Sequence, residues 1–460
     1  VWGDRPSADR LAPVVERLDG RGRGAVWVID LANGAELTLE IDRIGRVGAE
    51  RAHRLGTVLA CGPMANRELD EFGFSVVVAE HAPPDPARVE ADPDPLDTRT
   101  KGVAREPELA ELIARAEAAE RYGAGDATTI ETRRAAIEEL DDAVRPDTLY
   151  AFNARQFAAV ADAVALDPSP RRLWTPANGR SGTRRWVPTE AVLCPSSDPE
   201  RSTVAVLSTS NGAAAGPSRE QAARSALREV VERDAFMWTW LQRVARERLD
   251  PATLPNRVRT DIALIESKGL SVSLVNLTLE TEPVVLCAVH GAEALSVGAR
   301  CHADPLRAVE GALWEAVVSR LGIPDPESPP APDEVSHPVD HEELYRSAEA
   351  AERAAFLFAA EEAISFDELT GADEPLEDAV AAIGDPVAEP LFVDLSSPRT
   401  HPFSVVRAIA PGLIPISFGY DTEPLGAPLL ARPRRTADGR TVGEQLDLEW
   451  AGPLFPHPFS

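Results

Sequence analysis

Two helical segments of this chain carry the same triplet of chemically capable residues. ELAELIARAEAAERY ends in Glu117, Glu120 and Arg121, and EQAARSALREVVERD carries Glu229, Glu232 and Arg233, each as E-x-x-E-R at one fixed offset. Glutamates three apart project from one helical face, so each helix offers a carboxylate pair. Two such faces turned toward each other form an anionic cage, which is unfavourable unless a cation lies between them. Mg2+ suits that place, being hard, oxygen-preferring and able to bridge carboxylates to nucleotide phosphates. Arg121 and Arg233 would supply planar donors to phosphate oxygens. Positioning and charge neutralisation are most of what phosphoryl transfer requires. A single E-x-x-E-R on a helix is ordinarily a solvated face; the repetition inside similar helices puts the functional reading level with that one, and spacing alone takes it no further.

A third helix, PLRAVEGALWEAVVSR, aligns with the second so that Glu315 falls over Glu229 and Ala312-Leu313 over Ala226-Leu227, and it ends at Arg320. Before the second helix, STSNGAAAG puts Asn211-Gly212 in a tight turn and Gly216 just ahead of a helix N-terminus. Backbone N–H groups there can face an anion. The plainer reading of the loop is helix capping, with Ser218 as N-cap.

The elements that must position these residues read as alternating strands and helices, a mixed α and β class. Two strands are expected in 25–41 around Asn33-Gly34. A helical pattern is expected from there to residue 80, then a strand in FSVVVAEH and a Pro/Asp-rich loop over 82–98. Helices are expected at 106–122, 217–248 and 305–321, with strands at 270–279, 283–290, 390–395 and 403–409. A Pro-rich connector spans 323–339 and an Ala/Glu-rich helix 341–364.

With 460 residues and 44% hydrophobic content, the chain can bury a sizeable core. A net charge of −28 argues against nucleic acid as a partner. No run of eighteen uncharged apolar residues suggests a membrane span, which makes the cytoplasm the expected location. The cysteines Cys61, Cys194, Cys287 and Cys301 lack zinc-type spacing and read as buried reduced thiols. Lys101 and Lys268 are the only lysines, so arginines beside carboxylates are the cations to look for.

In combination, these motifs resemble the YcaO family over residues 46–460, leaving 1–45 as an N-terminal remnant or docking segment. TKGVAREPELAELIARAEAAERY resembles the first family signature, SNGAAAGPSREQAARSALREVVERDA the second and SVGARCHADPLRAVEGALWEAVVSR the third. LDEFGFSVVVAEHA and VVRAIAPGLIPISFG resemble passages before and after them, in the family's order. The resemblance implies an ATP cleft built from three Glu/Arg-bearing helices packed on β-sheets. It places Mg2+ at Glu117, Glu120, Glu229 and Glu232, and the nucleotide at Lys101, Arg121, Asn211, Arg233, Glu315 and Arg320.

The chain departs from the family pattern at Ile113, Pro217, Gln221 and Val318, where Ser, Asn, Glu and Gln are usual. A degenerate scaffold that binds peptide or partner protein is therefore one reading. The closing residues GPLFPHPFS offer another clue. Taken alone they are an extended, mobile segment, although unusually aromatic. Azoline-forming family members often end in P-x-P-x-P, and Pro456, Pro458 and Ser460 occupy those places, so the resemblance assigns them to catalysis. It favours ring formation over thioamide chemistry. A Cys, Ser or Thr side chain of a ribosomally made precursor peptide would attack the preceding backbone carbonyl, and ATP would activate the resulting oxygen for elimination, giving a thiazoline or oxazoline. An E1-like partner and a flavin-dependent dehydrogenase are implied as associated proteins, and a homodimer is compatible with the reading.

Overall fold

The computed structural model describes residues 57–84, 98–161, 171–194, 206–291, 294–322, 326 and 328–459, together with the backbone of strands β1 (Ala25–Ile29) and β2 (Glu36–Glu40). β1 and β2 pair antiparallel, as the hairpin reading expects. Most of the expected loop at 82–98, most of segment 1–45 and Ser460 lie outside the described residues.

β3 (Val58–Pro63), β4 (Ser75–His81) and β5 (Arg99–Ala104) form an antiparallel sheet, with the short helix α1 (Arg67–Glu71) between the first two. The helical pattern expected up to residue 80 is thus largely strand among the described residues, with only Arg67–Glu71 helical. Val58–Pro63 pairs along β4, and that pairing overrides local preference. Helix α2 (Pro107–Gly125) follows, with Pro107 at its first turn.

A second sheet gathers distant segments. β6 (Arg133–Ala135) precedes the helix α3 (Ala154–Ala161), and β7 (Arg172–Gly179) and β8 (Arg184–Pro188) follow it in sequence; β9 (Ala213–Gly216) leads into α4 (Arg219–Gln242). A third sheet takes β10 (Arg248–Leu249), β11 (Ser271–Asn276), β12 (Val284–His290) and β13 (Leu295–Cys301), with α5 (Asn256–Glu266) inserted and α6 (Pro305–Gly322) following. The expected helix at 341–364 is broken into α7 (Pro338–Leu344), α8 (Ala348–Ala354) and β14 (Ala363–Ile364), because its last residues pair parallel with β10. After α9 (Leu376–Ala382), β15 (Leu391–Asp394) and β16 (Ser404–Ile409) complete the second sheet in the order β6-β7-β15-β16-β9. The third sheet runs β13-β12-β11-β10-β14.

Each of these three sheets presents two strands to one of the three long helices. α2 lies on β5 and β4, α4 on β9 and β16, and α6 on β13 and β12. Small residues make the close approach possible. Ala110, Ala114 and Ala118 of α2 and Ala308, Ala312 and Ala316 of α6 are fully buried at four-residue spacing. Facing them are Gly102 and Gly298; a Cβ on Gly298 would lie 2.4 Å from the Ala316 nitrogen. The largest apolar cluster surrounds α4 and includes Phe236, Met237 and Trp238, which makes α4 the central helix.

Candidate active site

The repeated glutamates are wired to the strands they sit on. Oε2 of Glu117 accepts the Lys101 N–H of β5 at 3.4 Å, that of Glu229 the Gly212 N–H before β9 at 3.2 Å, and that of Glu315 the Ala299 N–H of β13 at 3.0 Å. The second glutamate of each pair reaches one unit further. Glu120 accepts from Ala215 of β9 at 3.3 Å, and Glu232 from Cys301 of β13 at 2.8 Å. Five carboxylates therefore form a row that links α2 to α4 to α6 through backbone donors. At the matching place in α6, Val318 packs instead into the apolar cluster with Leu313 and Val317. That position stands at the end of the row, which is a physical account of its apolar side chain.

The other carboxylate oxygens meet arginines. Glu117 Oε1 is 3.5 Å from Arg121, Glu232 Oε1 is 3.4 Å from Arg233, and Glu315 Oε1 is 4.0 Å from Arg233. Arg300, whose stem lies over Gly311 of α6, adds positive charge beside Glu232, Glu315 and Glu229. Burial nevertheless raises the carboxyls of Glu117, Glu120 and Glu229, and holds Glu232 up to about 7. For Glu120, the neighbouring Glu229 and Glu117 charges add to that burial effect. Glu120 of α2 and Glu229 of α4 thus lie near enough for their charges to oppose each other, against the arginines Arg121, Arg233 and Arg407 that offset them.

No three acidic, His or Cys side chains come together to hold a metal unaided among the described residues. The four glutamates of the two E-x-x-E faces do not close into one cage, because each carboxylate is drawn to a backbone N–H, Glu117 and Glu229 within their own unit and Glu120 and Glu232 in the next. The donor set still fits Mg2+, which is commonly held by one or two carboxylates together with substrate phosphates and water. Two buried polar atoms without hydrogen bonds suit the two halves of such a group, a guanidinium nitrogen for an anion and an amide oxygen for a cation or a donor. Arg233 Nη1 and Asn211 Oδ1 are buried and make no hydrogen bond.

Arg407 was not singled out from the sequence. It lies on β16 opposite Ala213, directly behind the Asn211-Gly212 turn. Its Nε donates to Ala191 O at 3.1 Å and its Nη2 to Thr209 O at 2.9 Å, while Nη1 is buried without a partner. With Asn211, Thr209, Tyr150 and Leu413 it lines a cavity of about 70 Å³. The available signal was an arginine inside the otherwise apolar run VVRAIA. Gly212 is required at this turn: its φ is +83°, and a Cβ would lie 2.7 Å from both Ala408 O and Val230 Cγ2.

A family model described as YcaO cyclodehydratase, ATP- and Mg2+-binding, matches residues 101–414. The chain belongs to the YcaO family. An uncharacterised protein of Methanothermobacter thermautotrophicus is 33% identical over 141 residues, covering 29% of this chain and 37% of that protein. Among solved structures, a heterocyclase in complex with substrate and cofactor is similar at a TM-score of 0.64 and 16% identity, over 88% of this chain and 63% of that one. YcaO from Methanopyrus kandleri, bound with AMPPCP and Mg2+, is similar at a TM-score of 0.56 and 19% identity, over 81% of this chain and 89% of that one. At these identities the likeness to the solved structures is one of fold, and the chain spans less than two thirds of the heterocyclase and of the curated relative. The YcaO fold and the family's cofactors, ATP and Mg2+, agree with the mixed α and β class and the cofactors expected from the sequence.

The remaining expected site residues are dispersed around this row. Lys101 is half-buried and takes part through its backbone, Arg121 is half-exposed, and Arg320 stands in the last turn of α6. Ile113, Pro217 and Gln221, three of the four departures from the family pattern, are exposed. Pro456 and Pro458 are buried, contrary to the mobile-segment reading of the last residues. The segment is held because Tyr345 donates its hydroxyl to Pro456 O at 2.7 Å, Arg353 lies over the Phe455 ring and Phe459 packs beneath Arg233. Of the cysteines, Cys287 and Cys301 are buried as expected, whereas Cys61 and Cys194 are only half-buried. All four are free thiols. No helix among the described residues is long and apolar enough to cross a membrane.

Proposed function

We propose that this YcaO protein activates backbone amides of a ribosomally made precursor peptide and cyclodehydrates Cys, Ser or Thr residues to thiazolines or oxazolines. The observation that carries the reading is the linked carboxylate row ending beside a buried arginine edge without hydrogen-bond partners. One or two of the carboxylates of Glu117, Glu120, Glu229 and Glu232, together with phosphate oxygens and water, would hold Mg2+, and Arg233, Asn211 and Arg121 the phosphates, with Arg320, Glu315 and Lys101 supporting the cleft and Arg407 fixing the Asn211 loop. Bound ATP supplies the phosphoryl group that makes the former amide oxygen a good leaving group.

The chain's own contribution is to orient that oxygen, neutralise charge and keep the site closed. Pro456 and Pro458, fastened beside Arg233 through Phe459, and Ser460 beyond them would border the place where the peptide backbone enters. Partner proteins that deliver the peptide, including an E1-like protein, and a flavin-dependent dehydrogenase that oxidises the rings would complete the system.

The test combines purified protein, candidate precursor peptide and partner with MgATP, followed by mass spectrometry. Loss of one water per ring with matching nucleotide turnover is the expected result. Sulfur incorporation without ring formation would instead place the chain among thioamide-forming members. Failure to bind nucleotide at millimolar Mg2+ would leave only the scaffold reading.

A further inference from the structure

We propose that Phe459 is a positioning residue for the nucleotide: its ring sets the plane of the Arg233 guanidinium and so couples the 456–459 segment to phosphate binding. The proposal rests on the reading of Arg233 as a phosphate contact. Arg233 Cζ lies 3.9 Å from the Phe459 ring centroid, and the Arg233 side chain is 12% exposed. Its nearest carboxylate oxygens, at 3.4 Å and 4.0 Å, sit at the outer edge of useful contact, and Nη1 makes no hydrogen bond. A guanidinium can be oriented through its edge or through its face. Arg407 is oriented by its edge, spending Nε and Nη2 on two carbonyls. Arg233 is oriented by its face, which leaves in-plane donors for a bidentate anion.

The ring is itself rigidly held. Phe459 is 2% exposed, and its centroid is 5.1 Å from that of Phe236. Phe236 and Arg233 are three apart on α4, so they share a helix face and form the slot that receives the ring. Behind it, the Phe459 N–H donates to His457 Nδ1 at 3.2 Å, and His457 Nε2 donates to Ser417 O at 2.7 Å. A peptide that displaces this segment would therefore also release Arg233.

The experiment measures the affinity of a non-hydrolysable ATP analogue with Mg2+ by calorimetry, and the KM for peptide, in wild type, Phe459→Ala, Phe459→Leu and Phe459→Tyr. The expected result is affinity weakened about three- to tenfold in the Ala and Leu variants and restored in Tyr, since the stacking needs the ring face. Phe459→Leu retains most of the buried volume, which separates lost stacking from unfolding. Leu binding as tightly as wild type would overturn the proposal while leaving the cleft assignment standing. A wild-type chain that binds no nucleotide would overturn the cleft assignment and the proposal with it.

Discussion

Glu232 of α4 accepts the backbone N–H of Cys301 in β13 at 2.8 Å, so a carboxylate of the central helix is fastened to the strand beneath the next one. The same carboxyl also faces Arg233 at 3.4 Å. One residue thus serves both the assembly of the site and its charge balance, and substitution can separate the two. Glu232→Gln retains a carbonyl oxygen for Cys301 and is expected to keep wild-type thermal stability while losing Mg2+-dependent nucleotide binding and turnover. Glu232→Ala leaves a buried N–H unsatisfied and is expected to lose a further 1–3 kcal/mol or so in denaturant unfolding. Full activity in Glu232→Gln would contradict the role given to the charge.

Gly298 faces the α6 backbone so closely that an added Cβ would lie 2.4 Å from the Ala316 nitrogen and 2.7 Å from Ala312 O. Backbone cannot yield there as a flexible side chain would. Gly298→Ala is expected to destabilise the protein by about 1–3 kcal/mol and to displace Glu315 from Ala299. Urea unfolding measures the first effect, and loss of protection of the Ala299 amide in hydrogen exchange the second.

How much of this was legible beforehand follows from the range of each interaction. The E-x-x-E-R faces are local: helical spacing alone puts Glu229, Glu232 and Arg233 on neighbouring positions of one helix, and the repeat reveals the shared unit. The partners of those side chains were not legible. Nothing in the order of residues says that Glu120 reaches Ala215, or that Arg407 pairs opposite Ala213, since both depend on which strands meet across the sheets. β13 was not assigned as a full strand because its apolar run is interrupted by Gly298 and Arg300. The last residues were misjudged as mobile for the same reason: Pro and His suggest exposure until the slot made by Arg233 and Phe236 is in place.

Arg407 predicts a distinct phenotype. Lysine carries one compact ammonium and cannot serve Ala191 O, Thr209 O and the cavity beside Asn211 together. Arg407→Lys is expected to fold, to bind nucleotide at least about tenfold more weakly and to show faster exchange around Asn211. Arg407→Ala leaves two carbonyls unpaired as well as a void, and a loss of about 2–4 kcal/mol in unfolding free energy is expected.

Glu423 supplies a pH signature away from the glutamate row. It is 1% exposed, Oε2 has no hydrogen-bond partner, and burial holds its carboxyl up to about 7. A folded-state value above the unfolded one means that the folded state keeps its proton longer. Stability from this group is therefore greatest below pH 4.5 and declines as pH rises toward 7, by a total on the order of 3 kcal/mol. Glu423→Gln is expected to raise the melting temperature at pH 8 and to flatten this part of the profile. An unchanged difference between variant and wild type across pH 5–8 would refute the assignment.

The histidine pair beneath the last residues has the opposite sign. His341 stacks on His457 at 4.3 Å, and every ring nitrogen is committed. Gly419 N–H donates to His341 Nε2 at 3.0 Å, so the proton sits on Nδ1 and is given to His457 O at 2.7 Å. Phe459 N–H likewise occupies His457 Nδ1, so that ring donates through Nε2. Protonating either ring sets two N–H groups against each other. Burial lowers His341 to about 4 and His457 well below its usual value, the latter also through the neighbouring His341. Both rings are therefore neutral in the fold while the unfolded chain takes up protons below pH 6.5. Stability contributed here is complete above that value and declines as pH falls toward 4, by about 3 kcal/mol for His341 alone. Hydrogen exchange at the Phe459 and Gly419 amides, corrected for intrinsic rates, is expected to show strong protection at pH 7.5 and marked loss at pH 5. His341→Ala should lose protection at both amides already at pH 7.5, because Gly419 loses its acceptor and His457 its stacking partner.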